Sequence, residues 1–260
     1  MRIVFKLKGY VESGEITVIG RENIPVARCI LVANHVDIGD TDIISEIVRL
    51  RQGRFLIDLR EVPPAKPEGV IMAMAGAIPV DQSSKRAKLE VMETAARALV
   101  EDGENALLMI FPQGQLDPFE EIKLETFKRG TSEIAARAAN RLDSSDALWI
   151  VPVGIHYKSD ARMVPFPQKV LKCVFNSLIP RKRDGSPFFS ISKYGAIAVI
   201  GEAIPVIAPQ QGQKLPKENA LATELIHSAI KASHDEAVDL GRLNELRPQS
   251  HERERRITLD

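Results

Sequence analysis

Features of secreted and membrane-spanning proteins are scarce in this chain. Its 260 residues include only two cysteines, Cys29 and Cys173, which are too few for a disulfide framework and lie in apolar segments typical of core thiols. Basic residues interrupt the apolar residues of 1–10, so no signal peptide is predicted. The longest nearly apolar window, 69–80, is shorter than the about 20 residues of a membrane-spanning helix. We expect a cytoplasmic protein, with peripheral contact to the inner face of a membrane as the further option.

Net charge and several common catalytic motifs are also missing. The 35 basic and 35 acidic residues give a formal net charge of +0, so no nucleic-acid partner is expected and any anion site must be local. We find no P-loop, no dinucleotide-binding glycine pattern and no Cys/His spacing typical of a metal site, so we expect no cofactor and no metal. The sequence also lacks the G-x-S-x-G elbow that carries a serine nucleophile.

Apolar runs alternate with amphipathic segments, which predicts an α/β fold with a largely parallel, mixed sheet flanked by helices. The length fits one domain, which we place at residues 1–246, followed by a polar tail at 247–260. Predicted strands lie at 15–20, 30–33, 106–111, 148–157, 169–175 and 196–200. Predicted helices lie at 42–51, 84–101, 131–141 and 216–240, with Ser83 or Ser84 and Thr131 as N-caps.

A histidine and an aspartate follow the apolar run 29–33, in the segment Asn34-His35-Val36-Asp37-Ile38-Gly39-Asp40. Imidazole titrates near neutral pH and can take a proton from a hydroxyl, while a carboxylate on its other nitrogen fixes the tautomer. Five helical residues turn by about 500°, so His35 and Asp40 must span a loop that opens a helix. Asp37 and Asp42 are the alternative partners of the imidazole.

Four segments in order resemble the motif blocks of the glycerolipid acyltransferases typified by lysophosphatidate acyltransferases. The first block is Asn34-His35 with Asp40. The others are 76–81 (GAIPVD), 111–114 (FPQG) and 151–155 (VPVGI). Segments 18–25, 127–130 and 200–202 resemble the connecting sequences of that family, so the resemblance covers roughly 15–210. Each block alone is permissive, whereas their order and separations are more specific.

The resemblance implies a lipid O-acyltransferase in which His35 deprotonates an acceptor hydroxyl and Asp40 orients His35. The hydroxyl oxygen would attack the thioester of acyl-CoA or of acyl carrier protein directly, without an acyl-enzyme. Cys29 lies inside a predicted strand, where a thiol is usually inert. Backbone N–H groups of the turn Gln113-Gly114-Gln115 would stabilise the oxyanion.

Two blocks depart from the family pattern at positions associated with the acceptor's phosphate. Gln113, Gln115 and Leu116 replace the usual Glu, Thr and Arg, and Gln82 replaces an arginine. Either nearby cations bind the phosphate instead, or the acceptor hydroxyl has no phosphate beside it, as in a glycosylated or terpenoid lipid; we favour the altered acceptor. A catalytically inactive lipid- or acyl-carrier-binding homologue is a third possibility. The candidate substrate-binding residues are Asn34, Gln82, Lys85, Arg86, Gln113, Gly114, Gln115, Lys128 and Arg129.

Two further features have two interpretations each. The apolar segment 69–76, which includes Met72 and Met74, is either a core helix or part of an acyl-chain tunnel, and we favour the core. His156, which follows the fourth block, either reaches the site or packs elsewhere, and we favour packing.

Overall fold

A mixed eight-stranded sheet forms the centre of the protein, as seen in a computed structural model. The structure describes residues 16–36, 40–48, 51, 53–58, 73–74, 76–114, 122–143, 146–157, 195–206 and 215–246. The strands are β1 (Ile16–Ile19), β2 (Arg28–Ala33), β3 (Arg54–Asp58), β4 (Ala77–Val80), β5 (Leu107–Ile110), β6 (Leu148–Tyr157), β7 (Ala196–Ile200) and β8 (Ile204–Pro205).

The parallel strands of the sheet end at one common edge. The spatial order is β1-β7-β6-β2-β5-β3-β4, and β8 pairs with β6. Strands β6, β2, β5, β3 and β4 run parallel to one another, β7 and β8 are antiparallel to β6, and β1 is parallel to β7. In open α/β sheets, ligands bind at the edge where the parallel strands end, and this edge receives the residues that follow β2, β5, β3 and β4.

Four helices flank this sheet in the described part of the chain. They are α1 (Asp40–Val48), α2 (Lys85–Glu101), α3 (Gly130–Ala139) and α4 (Leu215–Leu246), and short 3-10 turns lie at Arg21–Asn23 and Leu124–Thr126. The hydroxyl of Ser84 accepts a hydrogen bond from the N–H of Ala87 at 3.0 Å, so Ser84 is the N-cap of α2. None of the helices in these ranges combines the length and apolar content needed to cross a bilayer.

The predicted α/β class and the largely parallel sheet are confirmed, with three differences in detail. Strands β3, β4 and β8 had not been predicted. Thr131 is not an N-cap, because α3 begins at Gly130 and Thr131 is buried in its first turn. Met74 is 71% exposed, so the interpretation of its segment as core fails at that residue. The predicted strand 169–175, which includes Cys173, and the predicted tail 247–260 lie outside the described residues.

Each face of the sheet is covered by helices. Side chains of α2, α3 and α4 pack on one face around Ile30 and Leu108. Three isoleucines of α1 pack on the other face beside Leu31 and Val153. Strand β2 lies between both layers and is buried from Cys29 to Ala33. Burial raises the pKa of the Cys29 thiol, while the adjacent guanidinium of Arg51 opposes this shift. A buried thiol with a raised pKa is a packing group rather than a nucleophile.

The guanidinium of Arg51 joins the starts of β2 and β5. It donates to the backbone carbonyls of Pro25 at 2.9 Å, Ala27 at 2.5 Å and Asn105 at 2.9 Å. We expect Arg51→Met, which keeps the aliphatic stem, to lower the free energy of unfolding by about 2 kcal/mol, because a net hydrogen bond contributes about 1 kcal/mol and some carbonyls regain water. Urea denaturation measures this loss, and Arg97→Met, on the exposed face of α2, is the control. Equal stability of both variants would contradict the prediction.

Candidate active site

His35 and Asp40 meet at the end of β2, where the chain leaves the sheet and enters α1. The Nδ1 atom of His35 lies 2.9 Å from Oδ2 of Asp40. Asp40 is the first residue of α1 and His35 precedes that helix, so the two residues do not share one regular helix. Asp37 lies outside the described residues, as does the side chain of Asp42. Since a carboxylate accepts from Nδ1–H, the lone pair of the imidazole lies on Nε2.

Asp40 is held by several groups of the site, among them His35. Its Oδ2 also accepts the backbone N–H of Val36 at 2.7 Å, and its Oδ1 accepts the hydroxyl of Tyr157 at 2.6 Å. The side chain is fully buried, with 0% exposure, at the N-terminus of α1. A helix N-terminus stabilises negative charge, and each hydrogen bond fixes the rotation of the carboxylate. The arrangement is suited to orienting an imidazole and to stabilising its protonated form.

The third block supports His35 from the neighbouring strand. Val32 pairs with Ile110, and both His35 and Gln113 lie three residues further along their chains. Gln113, only 2% exposed, accepts the backbone N–H of His35 through Oε1 at 2.8 Å. The ring of Phe111 stacks on the imidazole with centroids 4.1 Å apart. A glutamate at 113 would offer an equivalent acceptor, so glutamine preserves this support and removes a charge.

The fourth block is joined to the first by the side chain of Asn34. Its Oδ1 accepts the N–H of Ile155 at 2.7 Å, and its Nδ2 donates to the carbonyl of the same residue at 2.9 Å. This pair of bonds continues the β2–β6 ladder beyond the pairing of Ala33 with Val153. Asn34 is 1% exposed and aligns these two strands. Its predicted contact with a substrate stays a prediction.

Gln82, which stands where the resembled family has an arginine, lies beside the carboxylates of Asp58 and Asp81. Gln82 donates from Nε2 to Oδ2 of Asp58 at 3.0 Å, at the point where β3 ends. Hydrogen bonds from the hydroxyl and the backbone N–H of Ser83 lower the pKa of Asp81, although the nearby charge of Asp58 opposes the shift. The ends of β3 and β4 lie two and three strands away from β2. Since neighbouring strands are spaced by about 5 Å, Asp58 and Asp81 lie roughly 10 to 15 Å across the sheet from His35.

Among the predicted cations, Lys128 lies against the third block. A side chain at Gly114 would place its Cβ 2.6 Å from Nζ of Lys128, so the lysine crosses directly over this glycine. The backbone N–H of Lys128 donates to the carbonyl of Pro112 at 2.9 Å, which fixes the crossing. Gly114 also has a φ of 63°, which favours glycine. Lys128 therefore brings a positive charge to the turn that follows β5.

The other predicted cations lie on exposed surfaces. Lys85 and Arg86 are the first two residues of α2, and Arg86 pairs with Glu90 on the same helix. Arg129 is exposed immediately before α3. Gln115 and Leu116 lie outside the described residues.

Tyr157 was not predicted as a site residue, whereas its neighbour His156 had been considered. The two side chains alternate along β6. His156 faces α4, where a side chain at Gly241 would meet its ring at 2.9 Å, and this agrees with the favoured packing interpretation. In the sequence, Tyr157 could have been found only from the alternation of side chains along the strand, which places it on the same face as Val153 and Ile155 of the fourth block.

Comparisons with known proteins bear on the family and the fold of this chain. The model of the family described as Acyltransferase matches residues 15–156. A search of curated proteins by sequence found no significant match. Among solved structures, the fold is similar to the crystal structure of the 1-acyl-sn-glycerophosphate (LPA) acyltransferase PlsC from Thermotoga maritima. That match has a TM-score of 0.54 and 18% sequence identity, over 90% of this chain and 78% of that chain. The family match spans more than half of the chain and includes the His35–Asp40 segment, so this protein belongs to the acyltransferase family and is an acyltransferase.

Proposed function

We propose that this acyltransferase moves a fatty acyl group from the thioester of acyl-CoA or acyl carrier protein to the hydroxyl of a lipid. The observation that carries the proposal is the contact of 2.9 Å between His35 Nδ1 and a fully buried Asp40. The contact leaves Nε2 of His35 to accept a proton, and the His35 side chain is 19% exposed and accessible to an acceptor. The solved relative acts on a lysophosphatidic acid, which supports a lipid acceptor here.

The transfer proceeds as a direct displacement at the thioester carbonyl. Nε2 of His35 takes the proton of the acceptor hydroxyl while the oxygen attacks the carbonyl carbon. The negative charge of the resulting oxyanion requires N–H donors. In this proposal the backbone of Gln113, in the turn after β5, supplies one, because the N–H of Gly114 already donates to the carbonyl of Phe111 at 3.0 Å. Collapse breaks the carbon–sulfur bond, and the imidazolium returns its proton to the departing thiolate. An ester and a free thiol result, and His35 is neutral again.

The acceptor in this proposal has no phosphate at the end of β3 and β4, where Gln82 stands in place of the family's arginine. Asp58 and Asp81 lie at the end of β3 and β4, and the pKa of Asp81 is lowered, so it is ionised at neutral pH. A phosphate beside these two carboxylates would be disfavoured, because like charges repel. The hydroxyls of a glycosylated lipid would instead donate hydrogen bonds to the carboxylates. The lipid acceptor also places the protein, in this proposal, in the cytoplasm at the surface of a membrane.

A second candidate is acylation of lysophosphatidate, with Lys128 as the substitute cation. It is favoured by the position of Nζ directly over Gly114, close to the third block. A lysine binds phosphate as a point charge and would replace the missing arginine in charge, although not in bidentate geometry.

A panel of acceptors distinguishes these candidates. The protein is incubated with labelled acyl-CoA or acyl carrier protein and with lysophosphatidate, glycerol phosphate or a neutral glycosylated lipid. We expect the neutral lipid to be used about tenfold better than lysophosphatidate, which corresponds to about 1.4 kcal/mol of discrimination. Preference for lysophosphatidate would contradict the altered acceptor. In that case Lys128→Gln should raise its KM, whereas Lys88→Gln, on the exposed face of α2, should not. Thioester binding without turnover on any acceptor would instead indicate the inactive homologue.

A further inference from the structure

Tyr157 contacts Asp40 through the carboxylate oxygen that does not bind His35. It is the last residue of β6, and its hydroxyl donates to Oδ1 of Asp40 at 2.6 Å. We infer that Tyr157 is a positioning residue, which acts through Asp40 to set both the orientation and the basicity of His35. This inference rests on the proposed role of His35 as the general base.

The sheet fixes the position of Tyr157 through contacts that lead back to the first block. The side chain of Asn34 holds both backbone groups of Ile155. Residues two apart in a strand lie on the same face, so Tyr157 lies on the face of Ile155, where both pack with α1. The register of β6 against β2 therefore determines where the hydroxyl meets Asp40. The pairing of β2 with β6 thus helps to place His35, Asp40 and Tyr157 relative to one another.

The two oxygens of Asp40 have different partners, and this division has a chemical consequence. Oδ2 accepts from His35 and Val36, while Oδ1 accepts from Tyr157. The hydroxyl of Tyr157 prevents rotation of the carboxylate and withdraws negative charge from Oδ2. Loss of this hydrogen bond in a Tyr157 variant would concentrate the charge of Asp40 on the side of His35 and strengthen its attraction to the imidazolium.

Charged side chains around the pair have contacts of their own in the described part of the chain. Arg21 contacts the far end of α1, where its guanidinium donates to the carbonyls of Glu46 and Ile47 at 2.9 and 2.7 Å. The supports that follow β5, Phe111 and Gln113, carry no charge, and Lys128 lies over Gly114. Replacing Tyr157 by Phe therefore changes a hydrogen bond on Asp40 without changing the charge of the site.

The Tyr157→Phe variant tests the inference through its pH profile. We expect kcat to fall about tenfold, because the carboxylate is less well fixed, while KM for the thioester stays within about twofold. The rising limb of kcat/KM should move to higher pH by about half a unit, since the charge on Asp40 is concentrated toward His35. Trp149→Phe, on the same strand and packed in the same core, should leave the limb in place. An unchanged limb, or one that moves to lower pH, overturns the inference.

A second measurement does not depend on turnover. The NMR titration of the His35 ring nitrogens, assigned by comparison with His35→Ala, should show the same upward movement of its midpoint in Tyr157→Phe. If Tyr157→Phe does not fold, 3-fluorotyrosine at the three tyrosine positions gives a stronger donor with nearly unchanged shape. It should move the midpoint to lower pH, and no movement overturns the inference. Absence of acyl transfer by the wild-type protein would count against the proposed function, whereas the ring titration would still decide the role of Tyr157.

Discussion

Replacing His35 with Ala is expected to lower the rate of acyl transfer by about 10³-fold, in the range that positioned general bases contribute. The imidazole is the group whose Nε2 is left to accept a proton, because Nδ1 is committed to Asp40 at 2.9 Å. We expect Asp40→Asn to lower the rate by about 10²-fold or more, since an amide can present its N–H to Nδ1 and thereby favour the wrong tautomer. Initial rates with labelled acyl thioester and the best acceptor of the panel measure both losses.

The control for this prediction is a histidine elsewhere in the fold. His227 on α4 lies 3.2 Å from the carbonyl of Ile122 and against the ring of Phe127. His227→Ala removes an imidazole without touching the pair, so its rate should stay within about twofold of the wild type. Circular dichroism and thermal unfolding establish that His35→Ala is folded. A folded His35→Ala protein with the full rate of transfer would rule out the mechanism.

The two residues of the candidate pair were predictable because their geometry is local. The buried strand β2 ends at Ala33, two residues before His35, and Asp40 begins the following helix. The five positions from His35 to Asp40 therefore bring the two side chains together. Gln113 was predicted as a member of its block, whereas its hydrogen bond to the backbone of His35 depends on the pairing of β2 with β5. That pairing joins residues 78 positions apart, and no local pattern indicates it.

Tyr157 and the edge strands were missed for different physical reasons. Tyr157 and Asp40 lie 117 positions apart, and their contact requires both the β2–β6 register and the entry angle of α1. Strand β3 is half-buried throughout, so it lacks the continuous apolar run of a central strand. Strand β4 contains Pro79, which argues against a central strand and is tolerated here because β4 lies at the edge of the sheet.

Replacing Gly154, the glycine of the fourth block, is expected to cause a large loss of stability. A Cβ at Gly154 would lie 2.1 Å from the backbone nitrogen and 2.5 Å from the Cα of His234. Both atoms belong to the backbone of α4, so no side-chain rotation relieves the clash. We expect Gly154→Ala to lower the free energy of unfolding by about 3 kcal/mol, as overpacking of a core does. For a chain of this size, that loss corresponds to a melting temperature lower by about 6 to 12 °C.

Gly130→Ala is the matched control, because nothing lies within 4 Å of a Cβ at that position. Its stability should stay within about 0.5 kcal/mol of the wild type. Equal melting temperatures for the two variants would contradict the close approach of α4 to the sheet. Gly154 and Tyr157 belong to the same strand, so a displaced α4 also disturbs the strand that holds Asp40. We therefore expect Gly154→Ala to lose activity at temperatures well below its own melting temperature. A substitution that disturbs packing far from β6 would lower the melting temperature without this earlier loss of activity.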